Sequence, residues 1–119
     1  MVKAKHGVQR FTNALKYSRQ GLSAAWRGEA AFREEVIALL LSIPLALWLG
    51  DTPLEQVLLI GSVLLVLIVE LLNSAVEAVV DRVGEERHEL AGRAKDMGSA
   101  AVLLSICLSA LIWLGILLN

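Results

Sequence analysis

Residues 57–81, VLLIGSVLLVLIVELLNSAVEAVVD, join a long apolar run to five polar side chains, and this combination decides how the chain can fold. The five polar residues are Glu70, Asn73, Ser74, Glu77 and Asp81. Because a helix turns by about 100° per residue, their spacing puts all five on one face. The other faces of the helix are apolar. The segment is therefore predicted to be a membrane-spanning helix with one acidic stripe.

The composition of the whole chain favours a membrane as its solvent. Of the 119 residues, 56% are hydrophobic, which is more than a soluble domain of this size can bury. The net charge is −1, and no basic arm is present, so a nucleic-acid partner is not expected. The single cysteine, Cys107, lies in an apolar run, which excludes an intrachain disulfide and a cluster of thiolate ligands.

Four helices are predicted within a single domain that comprises residues 1–119. Residues 8–27 form an amphipathic pattern with a narrow apolar face, typical of a helix that lies on the membrane surface. A soluble helix packed on another helix is the alternative interpretation. Three membrane-spanning helices are predicted at residues 30–49, 54–80 and 97–118, which makes the chain an all-α membrane protein.

The first predicted span depends on charged residues at its start. Residues 36–49 carry no charge, but they measure only about 21 Å as a helix, short of the roughly 30 Å hydrocarbon core. Extending the helix back to Ala30 supplies the length, provided that Arg33, Glu34 and Glu35 lie at the interface.

The basic residues are distributed asymmetrically along the chain. Seven of the eleven precede residues 36–49, the uncharged part of the first predicted span, and the other four lie in residues 81–96. None lies in residues 50–56 or after Met97. Because cytoplasmic segments carry the excess of Lys and Arg, the amino terminus and the 81–96 loop are predicted to be cytoplasmic.

The acidic stripe lies in the cytoplasmic half of the second span. Glu70 is about 20 Å along the helix from Val57, and Glu77 is about 10 Å further, near the lipid headgroups. Three interpretations are open for such costly carboxylates: polar contacts between helices, a proton or cation pathway, and phosphoryl transfer at the cytoplasmic face. A pathway would need acidic groups through the whole bilayer, whereas the third span has none. This asymmetry favours chemistry at the cytoplasmic face.

Phosphoryl transfer needs carboxylates for Mg²⁺ and cations for phosphate. The carboxylates that can hold a metal are Glu29, Glu34, Glu35, Glu77 and Asp81. The residues that can bind phosphate are Arg10, Arg87, Lys95 and His88. The sequence contains neither a GxxxxGK[ST] motif nor a kinase glycine loop, so a nucleotide site would have another design.

Four segments of the chain carry a resemblance to a known family. They are YSRQGLSAAW at 17–26, EAAFREE at 29–35, ELLNSAVEAVVDRVG at 70–84 and HELAGRAKDMGSAAV at 88–102. Together they closely resemble the bacterial integral membrane diacylglycerol kinases over essentially the whole chain. The resemblance implies a homotrimeric, three-helix enzyme of the inner membrane. It would transfer the γ-phosphoryl group of MgATP to the hydroxyl of diacylglycerol, giving phosphatidic acid and ADP.

The resemblance also assigns roles to residues. It implies that Glu70 is the general base and that Glu29 and Glu77 bind Mg²⁺. The implied nucleotide contacts are Arg10, Tyr17, Glu29, Glu77, Glu86, His88, Lys95 and Asp96. Asn73 and Ser99 are expected to orient the base and the lipid hydroxyl. The lipid cleft is expected to be bordered by Ala31, Phe32, Arg33, Glu34, Glu35 and Trp48.

Two positions depart from the pattern of the family. Gln56 stands where the best-known pattern has an arginine, and Arg87 replaces an aromatic residue. Relatives that phosphorylate undecaprenol share the same catalytic residues, so an undecaprenol kinase is the first alternative. A non-enzymatic membrane transporter or assembly protein is the second.

Overall fold

The computed structural model describes residues 7–83 and 89–119, and it folds them into four α-helices with no strand in these two ranges. The helices are α1 (Gly7–Gly28), α2 (Ala30–Leu49), α3 (Pro53–Val83) and α4 (Glu89–Leu117). The predicted all-α fold is confirmed. Helix α3 is the central element, because α2 and α4 both pack against it.

Helices α1 and α2 are separated by the single residue Glu29, whose backbone is extended, with φ −126° and ψ 109°. Arg33 spans this junction: its Nη1 donates to the carbonyl oxygens of Trp26, at 2.7 Å, and Arg27, at 3.5 Å. These carbonyls belong to the last turn of α1, which has no intrahelical donors left. A cation near a helix carboxyl terminus is also favourable to the helix dipole.

The turn between α2 and α3 is fixed by capping interactions. The Glu55 N–H donates to the Thr52 hydroxyl at 3.1 Å, while the Glu55 carboxylate accepts from the Asp51 N–H at 2.8 Å. This is a variant of the capping box, and Pro53 occupies the first helical position, which needs no donor. Gln56 Nε2 donates to the carbonyls of Leu47 and Gly50, so it satisfies the end of α2.

The core lies where α1, α2 and α3 meet. Ala25, Phe32 and Leu67 are buried together, one from each helix. Val36, Leu39 and Leu71 pack around them. This cluster holds the carboxyl-terminal end of α1 against the α2–α3 hairpin, immediately beside Glu29 and Glu70.

Helices α3 and α4 are joined by hydrogen bonds far from that core. The hydroxyls of Ser62 and Ser109 pair at 2.9 Å, and Trp113 Nε1 donates to the Leu59 carbonyl at 3.1 Å. At the opposite end, Lys95 forms an ion pair with Asp81 at 2.8 Å. These contacts show that the two helices are antiparallel.

Helices α3 and α4 are long and apolar enough to cross a membrane. Their 31 and 29 residues correspond to about 46 and 44 Å, more than the roughly 30 Å of a hydrocarbon core. Helix α4 begins at Glu89, so it includes residues 89–96 upstream of the predicted span. Helix α2 has 20 residues and three charges near its start, and its role as a third span stays a prediction.

Much apolar surface remains exposed on this single chain. In α4 only Ser105 is buried, and Leu103, Leu104 and Leu111 are among its exposed side chains. In α1 only Ala25 is buried. Large exposed apolar surfaces need lipid or a protein partner to cover them.

Candidate active site

Glu70 is the buried carboxylate at the centre of the candidate site. Its exposed fraction is only 6%, although α3 is otherwise apolar around it. Two polar side chains are its neighbours: Glu35, which approaches from α2, and Asn73, three residues along α3. The charges of Glu29 and Glu77 also act on Glu70. The fold thus places Glu35 of α2 next to Glu70 of α3, with Glu29 and Glu77 farther away but within electrostatic range of Glu70.

Three buried oxygens in this region have no hydrogen-bond partner among the described residues. They are Glu35 Oε1, Asn73 Oδ1 and Ser74 Oγ. Buried polar atoms in native proteins are nearly always paired, so unpaired ones need an explanation. All three lie at or next to Glu70, where a substrate, a metal or water would supply the missing partners.

A cavity of about 730 Å³ opens between α1 and α3, bordered by Glu29 and by Leu71 and Ser74, which follow Glu70 on α3. Glu29 and Ser74 contribute its main polar groups, and the surrounding wall is formed by small and apolar residues. Volumes of this size are typical of sites for small molecules. The cavity therefore offers space for a small molecule next to Glu29 and Ser74.

A second cavity, of about 370 Å³, lies between α2, α3 and α4. Glu35 lines it together with apolar residues and Trp113. Glu35 thus faces Glu70 and also borders this apolar space.

The comparison with known families decides the assignment. The family profile described as prokaryotic diacylglycerol kinase matches residues 16–117. The chain belongs to the prokaryotic diacylglycerol kinase family. Glu70 lies within the matched residues, and so do Asn73 and Glu77, which are half-buried.

Individual relatives agree with this family over most of their length. The protein named diacylglycerol kinase from Escherichia coli (strain K12) is 58% identical over 107 residues, 90% of this chain and 88% of the relative. That of Haemophilus influenzae is 54% identical over 111 residues, 93% of this chain and 94% of the relative. That of Pseudomonas aeruginosa is 50% identical over 117 residues, 98% and 95% of the two chains.

In this diacylglycerol kinase family member, the predicted nucleotide residues are spread over three elements. Arg10 and Tyr17 are exposed on α1, while Lys95 and Asp96 are exposed on α4. Lys95 pairs with Asp81, itself one of the candidate metal ligands. Glu86 and His88, like Arg87, lie outside the described residues.

The residues predicted to border the lipid cleft have different environments. Phe32 belongs to the core, and Arg33 caps α1, so both have structural contacts of their own. Ala31, Glu34 and Trp48 are exposed. Ser99, predicted to orient the substrate, is exposed on α4. Their contact with lipid stays a prediction.

Glu29 and Glu77, the predicted metal ligands, can be compared with the ligands that Mg²⁺ usually takes from a protein. Among residues 7–83 and 89–119, no three His, Cys, Asp or Glu side chains form a ready-made metal site. Glu29 and Glu77 are both half-buried and both act on Glu70. Mg²⁺ usually takes one or two carboxylates and completes its shell with water and phosphate oxygens. Glu29 and Glu77 supply the number and type of ligands that a nucleotide-bound Mg²⁺ takes from a protein, and their role as its ligands stays a prediction.

Sequence reasoning missed two contacts of the site. The approach of Glu35 to Glu70 depends on the register between α2 and α3, which a helical wheel of one segment does not contain. The contact of Asn73 with α4 was also missed. Its signal was present, because Gly98 is the one residue without a side chain in the motif KDMGSA, and such a glycine often permits close backbone approach.

Proposed function

We propose that this protein is an integral membrane lipid kinase that transfers the γ-phosphoryl group of MgATP to the hydroxyl of diacylglycerol. The observation that carries the proposal is the buried Glu70, surrounded by Glu35, Asn73 and two further carboxylates, in a member of this family. Buried acidic side chains in the interior of a largely apolar helix are costly, and functional sites are where such costs persist.

The proposed reaction begins with a proton transfer to Glu70. The ionised carboxylate accepts the proton of the lipid hydroxyl while the hydroxyl oxygen attacks the γ-phosphorus. The new oxygen–phosphorus bond forms as the bond between the γ-phosphorus and the bridging oxygen breaks, so the electron pair leaves with ADP. The products are phosphatidic acid and ADP. Asn73 orients the carboxylate of Glu70 through its amide.

Glu29 and Glu77 are proposed to hold Mg²⁺ with the nucleotide. The ion would neutralise charge on the β- and γ-phosphates, which is the chemistry that phosphoryl transfer requires of it. Glu29 borders the cavity of about 730 Å³, so its carboxylate is available to a ligand there. Lys95, Arg10 and the other predicted nucleotide residues would bind the triphosphate and the nucleoside.

The proposed membrane arrangement has three spans, formed by α2, α3 and α4, with α1 on the cytoplasmic surface of the inner membrane. Helices α3 and α4 have the required length, and the exposed apolar face of α1 suits the headgroup region. The distribution of Lys and Arg supports a cytoplasmic amino terminus and 81–96 loop. The site would then open to the cytosol, where ATP is found.

A homotrimer is proposed to complete the fold. The support is the surface of α4, which buries a single residue in one chain although it carries small residues suited to close helix contacts. Crosslinking of the purified protein in detergent micelles is expected to give trimers. A fully active enzyme that remains monomeric under crosslinking would contradict this part of the proposal.

The proposed activity is tested with purified protein in mixed micelles, ATP labelled in the γ-phosphate, Mg²⁺, and diacylglycerol or undecaprenol. Labelled phosphatidic acid is the expected product. If only undecaprenyl phosphate is labelled, the acceptor is undecaprenol and the proposed phosphoryl transfer is otherwise unchanged. No label in either lipid would overturn the kinase assignment and favour a transporter or assembly protein. A mock preparation, purified in the same way from cells that do not express the protein, is the blank that reports contaminating kinases.

A further inference from the structure

Gly98 is the point where the backbone of α4 touches the side chain of Asn73. A Cβ atom built at Gly98 would collide with Asn73 Oδ1 and would lie 3.2 Å from Asn73 Cγ. Other glycines of α4 differ in this respect: a Cβ at Gly92 or Gly115 would meet no atom within 4 Å. Gly98 is thus distinguished by a specific contact and not by helix composition.

Asn73 connects Gly98 to Glu70, the centre of the candidate site. Asn73 Oδ1 is buried and accepts no hydrogen bond from any described residue. The amide of Asn73 lies against Gly98, and Asn73 is three residues from Glu70 on the same face of α3, so the two side chains are neighbours. The α4 backbone therefore limits the orientations that the amide can adopt beside Glu70.

The register of α4 on α3 holds this contact in place from both sides. On one side Lys95 pairs with Asp81 at 2.8 Å, and on the other the hydroxyls of Ser62 and Ser109 pair at 2.9 Å. Gly98 lies between these two points. A change at Gly98 would consequently be absorbed by the Asn73 side chain and not by sliding of the helices.

We propose that Gly98 is a positioning residue, which orients Asn73 and through it the general base Glu70. This inference rests on the proposed function, because it assigns a role within the same phosphoryl transfer. It adds that α4, which contributes no carboxylate near Glu70 in the described part of the chain, sets the geometry of the base. A misplacement of about 1 Å near reacting groups can lower a rate by about a hundredfold.

The first test is the kinetics of Gly98→Ala, with Gly115→Ala as the matched control in the same helix. We expect kcat of Gly98→Ala to fall about 10- to 100-fold, with little change in KM for MgATP, because the base is misoriented while the nucleotide ligands remain. Gly115→Ala should retain the kcat of the parent protein. Equal kcat for Gly98→Ala and the parent would overturn the inference.

A double-mutant cycle shows whether the effect acts through Asn73. In protein that already carries Asn73→Ala, Gly98→Ala should cause no further loss, since the added methyl group then has nothing to displace. A loss of the same factor in both backgrounds would overturn the inference. If Gly98→Ala alone does not fold, recovery of folded protein with Asn73→Ala plus Gly98→Ala would support the contact, and failure of both would contradict it.

A spectroscopic readout separates the inference from the proposed function. The chain has three asparagines, at positions 13, 73 and 119, so labelling with ¹⁵N-asparagine gives three side-chain NH₂ signals, and Asn73→Ala identifies one. Gly98→Ala should shift the Asn73 signal, and Gly115→Ala should not. An unshifted signal would overturn the inference. Inactivity of the parent protein on every lipid would overturn the proposed function, while the signal would still decide the contact.

Discussion

The two halves of α3 differ in the hydrogen bonding of their buried polar groups. One half begins at Pro53, and the other ends at Val83. Near the first end, the Ser62 hydroxyl pairs with Ser109, and Trp113 donates to the Leu59 carbonyl. Near the second, the buried oxygens of Asn73 and Ser74 have no partner among the described residues, and Glu70 faces another carboxylate. Paired polar groups stabilise contacts between helices. Unpaired buried groups destabilise the fold, and a ligand that supplies the missing hydrogen bonds gains binding free energy from them.

The comparison separates structural residues from functional ones within a single helix. Hydropathy alone treats both ends as one apolar span. The pairing of polar atoms distinguishes them, and it predicts opposite effects of substitution: changes near Ser62 should alter stability and leave turnover intact, and changes near Glu70 should do the reverse.

The largest expected effect is that of Glu70→Gln. Because an amide cannot accept the hydroxyl proton, phosphoryl transfer should fall by about 10²- to 10⁴-fold, while the thermal midpoint in detergent stays equal or rises. Transfer of labelled phosphate to diacylglycerol and a thermal melt measure the two quantities. Glu89→Gln, an exposed glutamate in the first turn of α4, is the matched control. Near-normal transfer by Glu70→Gln would show that Glu70 is not the general base, and it would contradict the functional assignment of this part of α3.

Glu77→Gln should give the next effect, on the requirement for metal. Loss of one of two carboxylate ligands should raise the Mg²⁺ concentration for half-maximal activity by about tenfold or more, with stability preserved. A Mg²⁺ titration at fixed ATP measures this shift, again beside Glu89→Gln. An unchanged titration curve would contradict the assignment of Glu77 as a metal ligand.

At the other end of α3, Thr52→Ala should affect stability alone. It removes the hydroxyl that accepts from the Glu55 N–H, and loss of such a cap costs about 1 kcal/mol. Unfolding by denaturant in micelles measures the loss, and Thr52→Ser, which keeps the acceptor, should show little of it. A fall in kcat with Thr52→Ala would contradict the assignment of this end of α3 to stability alone.

The smallest expected effect is that of Ser62→Ala. Hydrogen bonds between helices in membranes are worth about 0.6 kcal/mol on average, so the free energy of unfolding should fall by about that amount with kcat unchanged. A cycle with Ser109→Ala isolates the pair, since each single variant should lose the same interaction. Strictly additive losses would show that the two hydroxyls do not interact.

Most of the fold could be predicted because its signals are local. Amphipathic periodicity located α1, and the predicted spans 30–49 and 54–80 placed the break between α2 and α3 at residues 50–53. Hydropathy placed the start of an apolar segment at Met97, whereas α4 begins at Glu89, because the charged residues 89–96 include good helix formers that an apolar window cannot register.

The site could be predicted only as far as one helix and a family resemblance allow. The acidic stripe of α3 indicated Glu70 and Glu77, since spacing within a helix is fixed. The meeting of Glu35 with Glu70, and of Gly98 with Asn73, depends on how neighbouring helices slide and rotate against α3. Those degrees of freedom are set by packing along the whole interface and leave no pattern in a single segment.

The Arg33 bridge to Trp26 and Arg27 also bears on the order of assembly during synthesis. The donor lies in α2 and the acceptors in α1, so this bridge between the two helices cannot form until α2 has been made. The ribosome releases α1 first, but its docking must wait for the segment that follows. Newly made α1 should therefore remain accessible to protease until α2 has formed and packed against it.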